Sequence, residues 1–233
     1  MERLPNDERR LLELASVIGA EFSLGALREL AGPTSAMPSM LESMRRKELV
    51  EPTGTYWGDE AVHRFHHVLI RDAAYRRLLK TTRADLHQRV GEWTDATASQ
   101  LVGDHDAAIA YHYEQAVRYR RELGNVDGDT DRLAARAAEL LRAASQRAVE
   151  RDDLTSAGAL TRRALNVLPI GMTEGRAELL LTACECLLAS GDVSASGPLV
   201  AQLRLAAGPT MHFRRKRHVL KRSSLVSQTP MVC

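Results

Sequence analysis

Apolar and polar positions follow a helical period along most of this chain. Leu11, Leu12, Leu14, Ala15 and Ile18 line one face, behind Asn6 as a candidate N-cap and Asp7 and Glu8 in the first turn, and Gly19 ends the run. A second short helix, capped near Ser23, carries Leu24, Leu27 and Leu30 to a stop at Gly32 and Pro33. A third spans about Met37 to Lys47, with Met40, Leu41 and Met44 inward and Arg45, Arg46 and Lys47 outward. Two extended stretches, Leu49–Pro52 and Ala61–Phe65, flank turn-rich Thr53-Gly54 and Gly58-Asp59 and predict a small hairpin. Helix returns from His67 to Leu79. Three helices, a hairpin and a further helix predict a winged-helix domain over residues 1–80.

Connecting helices are expected over 81–126. One runs from Thr82 to Thr97, with Leu86, Val90 and Trp93 on one face, and one from Asp104 to Leu123, with Ala108, Tyr111, Ala116 and Tyr119. The polar loop Gly124–Asp129 reads as a boundary. Beyond it the pattern repeats: Leu133, Ala137, Leu140, Leu141, Ala144 and Ala148 on one helix, then Ala157, Leu160, Ala164 and Leu168 before Pro169. A second pair carries Ala177, Leu180, Leu181, Cys184 and Leu188, then Leu199, Leu203 and Ala206. The turn Arg151-Asp152-Asp153-Leu154 recurs as Ser190-Gly191-Asp192-Val193. Small residues at helix crossings and a proline after the second helix are what stacked helical hairpins require. The offset from Asp153 to Asp192 is 39 residues, against about 34 in a regular tetratricopeptide repeat. Residues 127–208 are therefore expected to form irregular tetratricopeptide-like repeats, read as stopping in mid-array, and residues 209–233 a disordered basic tail. The fold class expected is all-α.

Composition narrows the function classes. Aromatics make up 4 % of the chain, which favours helices packed through small residues over a sheet. Six Lys or Arg and no acid lie between His212 and Cys233, leaving 26 basic against 30 acidic residues in positions 1–211, a net charge of −4. A nucleic-acid binder of this size would normally carry its basic face on the folded part. Cys184, Cys186 and Cys233 form no secreted disulfide framework, and no apolar run reaches signal-peptide or membrane-span length, so a cytoplasmic location without membrane association is expected.

The most specific stretch is Arg64-Phe65-His66-His67-Val68-Leu69-Ile70-Arg71-Asp72-Ala73-Ala74-Tyr75, with Leu78-Leu79 and Leu86-His87-Gln88-Arg89-Val90 behind it. It resembles the segment after the ATPase core of bacterial STAND proteins, which include large LuxR-type transcriptional regulators and ATPase-linked class III adenylate cyclases. The Asn6–Gly19 helix and Ala110-Tyr111-His112-Tyr113-Glu114-Gln115-Ala116 are similar too, so the likeness covers roughly residues 4 to 170. In that family a P-loop ATPase module precedes a winged helix and sensing repeats. The resemblance implies that this chain corresponds to the second and third parts. No G-x-x-x-x-G-K-[ST] and no Walker-B strand occur in it. The resemblance also places His67 at the position of a His that reaches bound ADP in such winged helices. The Asp that often follows that His is Val68 here. Such a contact would form in trans, across an interface with an ATPase domain.

Other candidate chemistry is sparse. In an extended segment His63 and His67 share a face and His66 points away, with no third metal ligand evident. Cys184 and Cys186 lie about 200° apart around a helix, which suits neither a shared metal nor an easy disulfide. Nothing resembles a G-x-S-x-G nucleophile elbow. No catalytic residue, metal or cofactor is expected. The preferred reading is a non-catalytic signal-transduction and protein-interaction module, whose partner is a P-loop ATPase or cyclase domain and whose repeats offer Arg136, Glu139 and Arg142. Two alternatives stand beside it. One is a DNA-binding transcriptional regulator using Arg45, Arg46 and Lys47 for phosphate contact; the other is a truncated remnant without separate activity.

Overall fold

The computed structural model describes residues 4–32, 35–57, 60–97, 105–169, 172, 175–189 and 193–207. The described elements run α1 (Asn6–Ile18), β1 (Glu21–Ser23), α2 (Leu24–Ala31), α3 (Met37–Arg46), β2 (Val50–Trp57), β3 (Glu60–Phe65), α4 (Val68–Arg77), α5 (Lys80–Thr97), α6 (Asp106–Glu122), α7 (Gly128–Glu150), α8 (Leu154–Val167), α9 (Arg176–Ala189) and α10 (Val193–Ala207). The chain is mostly helical with one small sheet. The tail, the Ser190-Gly191-Asp192 turn and the Gly58-Asp59 turn lie outside the described residues.

The sheet has three antiparallel strands where the pattern predicted two. β3 is central, with β2 on one edge and β1 on the other, pairing Glu21 with Arg64, Phe22 with His63 and Ser23 with Val62. β1 seats Phe22 in the core, 5.6 Å from Phe65 in edge-to-face contact. β2 also runs five residues further than expected, because an irregular register between Pro52 and Tyr56 absorbs the Thr53-Gly54 turn signal. Pro52 sits on an edge strand, where its missing N–H costs no central ladder bond. At the start of α1 the cap position falls on Pro5 and Asn6 is the first helical residue, one position later than the N-cap expected for it.

Side-chain caps define other helix starts. Ser23 Oγ accepts from the Ala26 amide at 3.2 Å, Asp127 Oδ1 from Thr130 at 2.8 Å and Asp153 Oδ1 from Ser156 at 3.0 Å. Asp152 takes a left-handed conformation (φ 64°) in the α7–α8 turn, which Asp tolerates better than most residues.

One core gathers Leu12, Phe22, Leu27, Met44, Val50 and Phe65, and extends to Leu86 and Val90 of α5. A second joins Ile109, Tyr113 and Val117 of α6 to Leu133, Ala137 and Leu141 of α7 and Ala164 of α8. From α5 onward each helix packs on the next, so the chain forms a linear stack. α6 shares its core with α7 and α8, so one core runs across the Gly124–Asp129 loop. Cys184 and Cys186 are both buried free thiols, and Cys186 packs with Ala148 and Ala157.

Candidate functional site

His67 occupies the N-cap of α4. Its Nδ1 accepts from the Leu69 amide at 3.1 Å, which consumes one ring nitrogen in helix capping and leaves Nε2 for any outward contact. The residue is exposed, and the two that follow are exposed apolar side chains, Val68 at 53 % and Leu69 at 62 %. His66 lies 3.7 Å from Glu51, while His63 stacks on Phe22 with its Nδ1 buried and unbonded. Burial lowers the His63 pKa. The three histidines thus serve three local purposes, and among the described residues no cluster of three or more His, Cys, Asp or Glu is placed to hold a metal.

Arg45, Arg46 and Lys47 sit at the C-terminal end of α3, where positive charge suits the helix dipole. Arg45 makes a two-pronged ion pair with Glu42 at 2.8 Å, and Arg46 lies 3.7 Å from the same carboxylate. Lys47 Nζ reaches Glu8 of α1 at 2.5 Å. Burial alone would raise the Glu8 pKa, but hydrogen bonds from Lys47 and Ser43 outweigh it and hold the carboxylate ionised. A cleft of about 450 Å³ opens beside this helix, lined by Leu24, Met37, Leu41, Pro52, Arg28 and Arg45 among others. Its arginines are already bound, Arg28 to Glu60 and Arg45 to Glu42.

On α7, Arg136 donates to both oxygens of Asp95 on α5, at 2.7 and 2.8 Å, and to Glu139 at 2.7 Å. Asp95 also accepts from Tyr113 Oη of α6 at 3.2 Å, so one carboxylate ties three helices. Hydrogen bonds from Arg136, then the charge of Arg136 and the Tyr113 hydroxyl, lower the Asp95 pKa against its partial burial. Arg142 is exposed on the same helix. Similar ties recur down the stack: Arg163 with Glu114, Arg147 with Asp106 and Arg120 with Asp129. The abundant arginines therefore join neighbouring helices at their rims.

The densest polar constellation was not picked out as a site from the sequence. It lies where α4, α5 and α6 meet. His87 of α5 is 1 % exposed; its Nε2 lies 2.8 Å from Tyr75 Oη of α4, and its Nδ1 lies 3.0 Å from His112 Nδ1 of α6. Tyr75 Oη continues to Tyr119 Oη at 3.0 Å, and Arg83 Nη1 donates to Tyr119 Oη at 3.4 Å. The Arg83 guanidinium also lies over the Tyr75 ring at 4.6 Å. Arginine can only donate, so the order that uses every proton runs from Arg83 through Tyr119, Tyr75 and His87 to His112. His87 then carries its proton on Nδ1, and His112 accepts at Nδ1 and carries its own on Nε2. Burial, then the neighbouring His112 and three arginines, push the His87 pKa down to about 2; burial alone takes His112 to about 4. Burial also raises the Tyr75 phenol, helped by its bond to Tyr119. Both imidazoles and Tyr75 are neutral at pH 7, and the cluster is a fixed hydrogen-bonded seam. The one sequence signal for it is the seven-residue spacing of His112 and Tyr119, two turns apart on one side of α6.

Close approach of α5 to α6 depends on glycine: a Cβ at Gly91 would lie 2.9 Å from the Tyr113 ring. Where α2 meets α5, a Cβ at Gly25 would lie the same distance from the Trp93 ring. No protein-family model, curated protein or solved structure matches the chain. No described helix is long and apolar enough to cross a membrane.

Proposed function

We propose that the chain is a non-catalytic, cytoplasmic signal-transduction module. In this reading a winged-helix head and an irregular tetratricopeptide-like stack resemble the regulatory part of a STAND-type transcriptional regulator or adenylate cyclase. The observation that carries the reading is the order of elements: helix, strand, two helices, two strands and α4 against α1, then from α5 onward helices that each pack on the next. A linear stack presents a long face to a partner while each unit relies only on its neighbours for burial. The head offers exposed Val68 and Leu69 beside His67 as a docking edge for a P-loop ATPase or cyclase domain, with the His67 Nε2 free of the capping bond. Binding of a partner to the stack, near Arg142 and the Arg136–Glu139 pair, shifts the docked equilibrium only as far as it favours one state over the other.

Direct DNA binding is the weaker reading. Arg45 and Arg46 share Glu42, and Lys47 is held by Glu8, so phosphate contact would have to compete with bonds already made. The test of the preferred reading is affinity purification of the protein with mass spectrometry of what it retains. A P-loop ATPase or cyclase recovered with the protein, and lost on Leu69→Asp, is the expected result. A clean bait that instead binds DNA with strong salt dependence would overturn it.

A further inference from the structure

The buried imidazole pair has a consequence for pH. We propose that the His87–His112 contact is an acid-opened latch between α5 and α6, closed near neutral pH and released as either imidazole gains a proton. The Nδ1–Nδ1 contact of 3.0 Å needs one nitrogen with a lone pair and one with a proton. Adding a proton to His112 sets two N–H groups against each other. Adding one to His87 places a donor against Tyr75 Oη and forces that hydroxyl, and Tyr119 behind it, to reverse.

Among the described residues no carboxylate is bonded to either imidazole. Arg71 and Tyr75 face the pair from α4, Arg83 from α5, and Tyr111, Arg118 and Tyr119 from α6. Asp72 is bound to Arg71, Glu122 to Lys80 and Arg118, Glu114 to Arg163 of α8 and Glu92 to Arg132 of α7, and Asp85 lies on the exposed side of α5. From the elements packed outside, α1 sends Glu13 to Arg77, α2 sends Glu29 to Arg89, and α7 sends Arg136 to Asp95 and Arg147 to Asp106. A protonated imidazole therefore escapes repulsion and burial only by reaching water, which means parting α5 from α6. The head and the stack meet at this seam, so the opening would uncouple them.

The test is hydrogen exchange of the full chain between pH 7.5 and 5.0, corrected for intrinsic rates, with imidazole ¹⁵N shifts read in parallel. The folded-state pKa values lie below the ordinary 6.5 of an unfolded His, so protection is complete above about pH 6.5 and falls as the pH drops. Each imidazole that titrates lowers protection about thirtyfold by pH 5, so the pair gives up to about a thousandfold in α5 and α6. His112→Asn keeps an acceptor for His87 and removes one titrating group, and its loss should shrink to about thirtyfold. Imidazole shifts at pH 7.5 should show His87 protonated on Nδ1 and His112 on Nε2, a result that needs no variant. Protection in α5 and α6 that stays constant to pH 5, or a loss in the His112→Asn variant as large as in the parent, would overturn the latch.

Discussion

The head and the stack are stabilised by opposite kinds of core. Among the described residues the head core counts two alanines in sixteen buried positions, the rest being chiefly Leu, Phe, Met and Val. The main core of the stack counts six alanines in fifteen. Large side chains fill the wider gap where helices lie on a small sheet. Alanines let neighbouring helices close on one another, and arginine ties such as Arg136–Asp95 finish the rims. The head is therefore most sensitive to losing volume, and the stack to gaining it.

The largest expected effect follows from the head. Phe22→Ala should cost about 3–5 kcal/mol in urea unfolding, because Phe22 is 1 % exposed and carries the contact of β1 with Phe65. In the stack the mirror experiment is Ala137→Leu. Ala137 has no exposure, and the added methylenes should cost about 1–3 kcal/mol in the same assay. A neutral Ala137→Leu would break the comparison by showing that the helices are loosely packed. Arg136→Ala should cost about 1–2 kcal/mol, since it leaves the half-buried Asp95 with only the Tyr113 hydroxyl, and the loss should shrink in 1 M salt. The smallest change is His67→Ala, expected to lower thermal stability by about 0.5–1 kcal/mol through loss of the α4 cap.

Much of the helical layout was legible because 3.6-residue periodicity is a local signal: α2, α3, α8 and the Asp153 turn lie close to where the pattern put them. β1 was not legible, since three residues are too few to show alternation and its partner strand lies some forty positions away. The Gly54 turn signal hid the length of β2, because an irregular register let the strand run through it. The site was harder still. Tyr75, His87, His112 and Tyr119 each occupy an ordinary helical position, and only the packing of three helices brings their polar atoms within 3 Å. The exposed basic run of α3 drew attention by composition alone; Glu42, three residues before Arg45, was a local signal passed over, whereas Glu8 lies on α1, 39 positions from Lys47.

These two unlike cores act as one folding unit only if α5 binds them together, since it gives Leu86 and Val90 to the head and His87 and Gly91 to the stack. Native-state hydrogen exchange in low urea at pH 7.5 tests this directly. The account predicts that the most protected amides of α1, α5 and α7 merge into one opening with the full unfolding free energy. Separate openings for α1 and α7, with α5 following only one of them, would contradict it.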